Sequence, residues 1–151
     1  MQDIQLKNVT VSRFPAKKAL PGSPALVICP GGAYATLSRF EGDAVARHFA
    51  SRGFTCFVCH YSVGEKARMP QPLDQLAACV ALAHESADFV AVCGFSAGAH
   101  LCAMLCTAWR DAAKRLSLAE AAVRPDAAVL GYAVTSYTSP MALQPLQMFQ
   151  T

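Results

Sequence analysis

The stretch "FVAVCGFSAGAH", Phe89 to His100, joins an unbroken apolar run to an alanine- and leucine-rich segment through a single serine. A run this short and this apolar has the pattern of a strand covered on both faces. The segment behind it, from Ala97 to about Arg115, reads as a largely buried helix. Between them Gly94-Phe95-Ser96-Ala97-Gly98 is a G-x-S-x-G in a strand–turn–helix context. Holding a serine at the tip of such a turn forces a strained backbone. Side chains two positions before and after would strike neighbouring elements, so both sites favour glycine. The turn also sets the N–H of Ala97 at a helix N-terminus, where donors are unpaired and the dipole favours negative charge. Such a donor suits the oxyanion of an acyl-transfer intermediate. The pattern marks Ser96 as a nucleophile with Gly94 and Gly98 as its elbow; a plain turn capped by serine is the alternative.

A second glycine loop lies upstream. "ALVIC" is another doubly covered strand, and "CPGGAY", Cys29 to Tyr34, follows it directly. The N–H groups of Gly32 and Ala33 are candidate donors to the same oxyanion. As a nucleotide loop the segment is poor, with neither G-x-G-x-x-G nor G-K-[ST]. "SRFE", Ser38 to Glu41, has capping-box spacing and predicts a helix from Ser38, with Phe40, Ala44, Val45 and Phe49 on its apolar face and Gly53 at its end.

"IQLKNVTV" alternates apolar and polar residues and reads as one half-buried strand. "FTCFVCHYSV" reads as a buried strand, Leu73 to Ala83 as one face of a helix, and "AAVLGYAV" as the last clear strand. Strands alternating with helices of this length give an α/β fold, a mainly parallel sheet with helices on both faces. The expectation is a single domain over 1–151 with a divergent tail over 135–151.

Composition narrows the classes. Apolar residues make up 54% and charged residues 15% of the 151, which excludes a disordered chain. The net charge of +3 is thinly spread, with Lys17-Lys18 the only adjacent basic pair, so no nucleic-acid footprint is expected. No run approaches the roughly eighteen apolar residues of a membrane span, and the N-terminus lacks the pattern of a secretory signal. The seven cysteines lie in apolar runs and read as small thiols of a reducing, cytoplasmic compartment. Cys56 and Cys59 have C-x-x-C spacing, but on a strand residues three apart face opposite ways, which excludes a zinc or redox pair. No metal and no cofactor is expected.

The residues "PGGAYATLSRFEGDAVARHFASRGFTCFVCHYSV" followed by "GFSAGAHLCAML" resemble the α/β-hydrolase superfamily, and within it the acetylxylan-esterase-like and feruloyl-esterase-like carboxylesterases. The resemblance runs from about Ala25 to Val134. It implies a three-layer fold around an eight-stranded sheet, a nucleophile at Ser96 after the fifth strand, and oxyanion donors at Ala97 and in the Gly32/Ala33 region. The familiar H-G-G-G loop here reads Pro30-Gly31-Gly32-Ala33; a donor N–H survives that change.

A serine nucleophile needs a base, commonly His oriented by a carboxylate. Downstream of Ser96 the only histidine is His100, in the helix, where it reads as helix packing or support for the elbow rather than as the base. His60 ends a strand and reads as a structural or pocket-lining residue, and His48 and His84 as surface residues on helices. Asp126 reads as a turn residue, and Asp111 and Glu120 as solvated. The acid–base half is therefore expected to be missing, as in a C-terminally truncated hydrolase. Two functions follow: a serine carboxylic-ester hydrolase acting on a small-molecule ester, or a non-catalytic, degenerate relative. An apolar strand "AAVLGYAV" at a sheet edge would favour homo-oligomers.

Overall fold

Three consecutive apolar strands divide their side chains between two cores. Val27 and Cys29, Phe57 and Cys59, and Val90 and Val92 share one face with residues of two long helices. Leu26 and Ile28, Cys56 and Val58, and Ala91 and Cys93 share the other with a short helix. The period of two along each strand is what makes a doubly covered sheet read as a continuous apolar run. It also puts Cys56 and Cys59 on opposite faces, as their spacing requires.

The computed structural model describes residues 1–135. The order is β1 (Gln2–Leu6), β2 (Val9–Phe14), β3 (Ala25–Cys29), α1 (Asp43–Ala50), β4 (Thr55–His60), α2 (Gln71–His84), β5 (Val90–Phe95), α3 (Ala97–Leu116), α4 (Glu120–Val123) and β6 (Ala127–Gly131), with a 3-10 turn at Gly64–Lys66. The strands form one sheet in the order β1-β2-β4-β3-β5-β6. β1 and β2 pair antiparallel and the others parallel, apart from the antiparallel β2–β4 pair. α2 and α3 cover one face and α1 the other, giving three layers. Leu76 of α2 and Leu101 and Leu105 of α3 are fully buried, each contributing about 1.5–3 kcal/mol of apolar burial.

Two expectations change. "IQLKNVTV" is a hairpin, not one strand: Leu6 pairs with Val9 across Lys7-Asn8. The turn lacks the Asn-Gly or Asp-Gly signature, so alternation ran across it unbroken. The buried Gln75 of α2 anchors it, its Nε2 donating to Asn8 O at 2.5 Å and its Oε1 accepting from Ser62 N at 2.7 Å.

The first helix starts at Asp43, not Ser38, behind Gly42 and with no side-chain cap. Both members of the expected capping box are engaged elsewhere: Ser38 N donates to Gly31 O (2.9 Å), and the Glu41 carboxylate accepts from Gly31 N (2.8 Å). Phe40, expected on the apolar face, is 87% exposed; Ala46 and Ala50 are the buried positions. The last strand, β6, borders the sheet among the described residues, and Val129 and Leu130 are exposed. The expected tail lies outside those residues except at Thr135.

Candidate active site

β5 runs straight into α3 through Ser96, which has φ 51° and ψ −115°. A residue with a side chain adopts this backbone only where its surroundings impose it, at a cost of about 1–3 kcal/mol. The imposition is visible on both sides. A Cβ on Gly98 would lie 2.1 Å from Cys29 O and 2.6 Å from Pro30 O, so α3 presses directly on the end of β3. A Cβ on Gly94 would meet Gly98 O at 2.4 Å. Ser96 N donates to Gly131 O (2.9 Å), tying the elbow to β6, and Ser96 O accepts the first helical bond from His100 N (3.0 Å). The Ser96 hydroxyl has no hydrogen-bond partner among the described residues and is half-buried.

The glycine loop lies against it. A Cβ on Gly31 would be 2.7 Å from Phe95 O and 3.1 Å from the Ser96 Cβ, so only glycine fits beside the elbow. Beyond it Gly32, Ala33 and Tyr34 all have positive φ (132°, 54° and 57°). Gly32 O accepts from Ala35 N (2.9 Å) and Thr36 N (3.1 Å), closing the turn. The Gly32 and Ala33 N–H groups donate to nothing among the described residues.

Hydrogen bonds from remote elements brace this loop. The Tyr61 hydroxyl donates to Pro30 O (2.5 Å); burial raises the phenol pKa far above its ordinary range, so it remains a donor. Tyr34 hydroxyl and His100 Nδ1 are 2.8 Å apart, with their rings edge-on. His100 is half-buried, and burial lowers its pKa. It thus braces the loop from the first turn of α3, the supporting place its position implied. Tyr34 also meets Tyr61 edge-on at 6.0 Å.

The other candidates lie apart. His60 Nε2 is 2.8 Å from the Ser12 hydroxyl, which donates to Asp3 Oδ1 (2.7 Å). His60 also lines a 380 Å³ pocket with Pro30, Ser38, Arg39, Asp43 and Val58, whose lining does not include Ser96. His48 Nδ1 accepts from Arg52 (3.1 Å) and His84 Nε2 donates to Arg124 O (3.0 Å), both on helices. Asp126 Oδ2 accepts from Val90 N (2.8 Å) at the far end of β5, a turn role. Asp111 is exposed, and Glu120 forms an exposed pair with Arg110 at 3.5 Å. None of these four histidines or three acids hydrogen-bonds to the Ser96 hydroxyl. Sequence reasoning missed both Glu41, whose motif pointed to a helix cap, and Tyr61, which sits in no motif, as parts of the site.

The α/β hydrolase fold family matches residues 26–147. The chain belongs to that family. It is 29% identical over 120 residues to endo-1,4-β-xylanase B of Butyrivibrio fibrisolvens, covering 72% of this chain and 19% of that protein. It is 35% identical over 98 residues to esterase LipC of Mycobacterium tuberculosis, covering 58% and 24%. The crystal structure of an acetyl ester-xyloside bifunctional hydrolase from Caldicellulosiruptor lactoaceticus superposes with a TM-score of 0.67 at 26% identity, over 86% of this chain and 50% of that one. The chain thus spans a quarter or less of these two curated relatives and half of the solved hydrolase.

Proposed function

We propose that this α/β hydrolase is a carboxylic-ester hydrolase in which Ser96 is the nucleophile. The observation that carries the reading is the backbone of Ser96, φ 51° and ψ −115°, with Gly31 packed against its Cβ. Ser96 Oγ attacks the acyl carbonyl, and the oxyanion of the tetrahedral intermediate is held by N–H groups of Gly32, Ala33 and Ala97. Collapse expels the alcohol and leaves an acyl-serine; water then attacks it, releases the acid and restores the hydroxyl. The proton passes through a base that is not among the described contacts of Ser96. No step calls for a metal or cofactor.

The substrate class proposed is a small acetylated molecule, an acetylated sugar first. The names of the xylanase and of the acetyl ester-xyloside hydrolase support that choice. All seven cysteines are free thiols and six are buried, with Cys106 exposed, which fits a reducing compartment such as the cytoplasm. No helix among the described residues is long and apolar enough to cross a membrane. The exposed apolar edge at β6 is where copies of this polypeptide would associate.

The test is hydrolysis of a short activated acetyl ester by the protein beside Ser96→Ala. Turnover lost in the variant supports the reading; equal rates for the two contradict it.

A further inference from the structure

Glu41 is the acid whose expected helix-capping task the structure reassigns. Its Oε2 accepts the Gly31 N–H at 2.8 Å and its Oε1 accepts the Tyr132 hydroxyl at 2.5 Å. The Pro30–Gly31 peptide is therefore gripped at both ends, its carbonyl by Tyr61 and its N–H by Glu41. Tyr132 follows β6 and packs its ring on Phe95, the residue before Ser96 (centroids 5.9 Å apart). Gly131, next to it, takes the Ser96 N–H. One carboxylate thus links the glycine loop to the strand end that holds the elbow.

We propose that Glu41 is a positioning residue for ester hydrolysis, fixing the Gly31 peptide so that the Gly32 and Ala33 N–H groups face the oxyanion formed at Ser96. This rests on the assignment of Ser96 given above. The physical case is that a carboxylate makes a stronger, shorter hydrogen bond to a backbone N–H than a neutral acceptor does. Two acceptor oxygens on one planar group also fix the relative placement of their two donors. A loop with three successive positive-φ residues has no regular ladder of its own to hold it. Misplacing an oxyanion donor by an ångström costs about 10- to 100-fold in rate.

The test compares wild type, Glu41→Gln, Glu41→Ala and Tyr132→Phe in two measurements: the rate of fluorophosphonate labelling at Ser96, and hydrogen exchange of the Gly31 amide. Glu41→Ala should label about 10- to 100-fold more slowly and lose protection at Gly31 while melting as a folded protein. Glu41→Gln keeps one acceptor oxygen but loses the charge and the second acceptor, and should fall between Glu41→Ala and wild type in both. Tyr132→Phe should slow labelling a few-fold only. Labelling of Glu41→Ala at the wild-type rate, or Glu41→Gln as slow as Glu41→Ala, overturns the proposal. If wild type itself is not labelled, the assignment of Ser96 fails, and the Gly31 exchange still decides the positioning: protection unchanged in Glu41→Ala overturns it.

Discussion

The turn from β5 to α3 places one residue, Ser96, between strand and helix, whereas the connection from β3 to α1 runs over residues 30–42. Both hold residues other than glycine at positive φ, and Gly31 of the longer one lies against the Cβ of Ser96. The short turn is held by contact: Gly94 against Gly98, and Gly98 against the carbonyls of Cys29 and Pro30. The long one is held by hydrogen bonds from Tyr61, Glu41 and Ser38. Steric exclusion acts on the residue itself and leaves a local trace, a glycine. A hydrogen bond across the loop or from another element leaves no such mark at the residue it holds.

The largest effect should follow from attacking the contact. Gly98→Ala drives a methyl group into the Cys29 carbonyl, 2.1 Å away on fixed backbone. Denaturant unfolding should show a loss of at least about 3 kcal/mol or no folded protein; a loss below 1 kcal/mol would mean the turn can yield. Next is the buried bond of the longer loop. Tyr61→Phe leaves the Pro30 carbonyl unpaired, and about 1–3 kcal/mol should disappear in the same assay.

Ser96→Gly sharpens the contrast by acting in the opposite direction. It removes the side chain strained at φ 51°, so the variant should be more stable by about 1 kcal/mol and lose any Ser96-dependent turnover. A stability equal to or below wild type would mean the elbow stores no strain.

The smallest effect concerns His100. Burial lowers its pKa in the folded protein, so the unfolded chain takes up a proton first. Its contribution to stability is fully present above the unfolded value of about 6.5 and falls as the pH drops toward the folded one. His100→Gln should flatten the acid side of the stability profile, measured by melting at a series of pH values. An unchanged slope would show that His100 does not titrate with unfolding.

The same division explains what the sequence made legible. β3, β5 and α3 were readable because a short unbroken apolar run and an alanine-rich helix are local patterns, and Gly94, Ser96 and Gly98 because each is constrained where it stands. "SRFE" carried a correct local rule that tertiary structure overrode: Gly31 holds both Ser38 and Glu41, so α1 begins at Asp43. The hairpin at Lys7-Asn8 was hidden because its register preserves the alternation through the turn. Tyr61 and Glu41 could be recognised only after β4 and the loop had been brought to the end of β3. No base for Ser96 was read from the sequence, and no described histidine bonds to its hydroxyl.

The central claim, that Ser96 carries the acyl group, is tested most directly by quenching the protein during incubation with an activated acetyl ester and locating the added mass by peptide mass spectrometry. The account predicts an acetyl adduct on Ser96, appearing with turnover and absent from Ser96→Ala. Turnover with no adduct at Ser96, or an adduct on another residue that persists in Ser96→Ala, would contradict it.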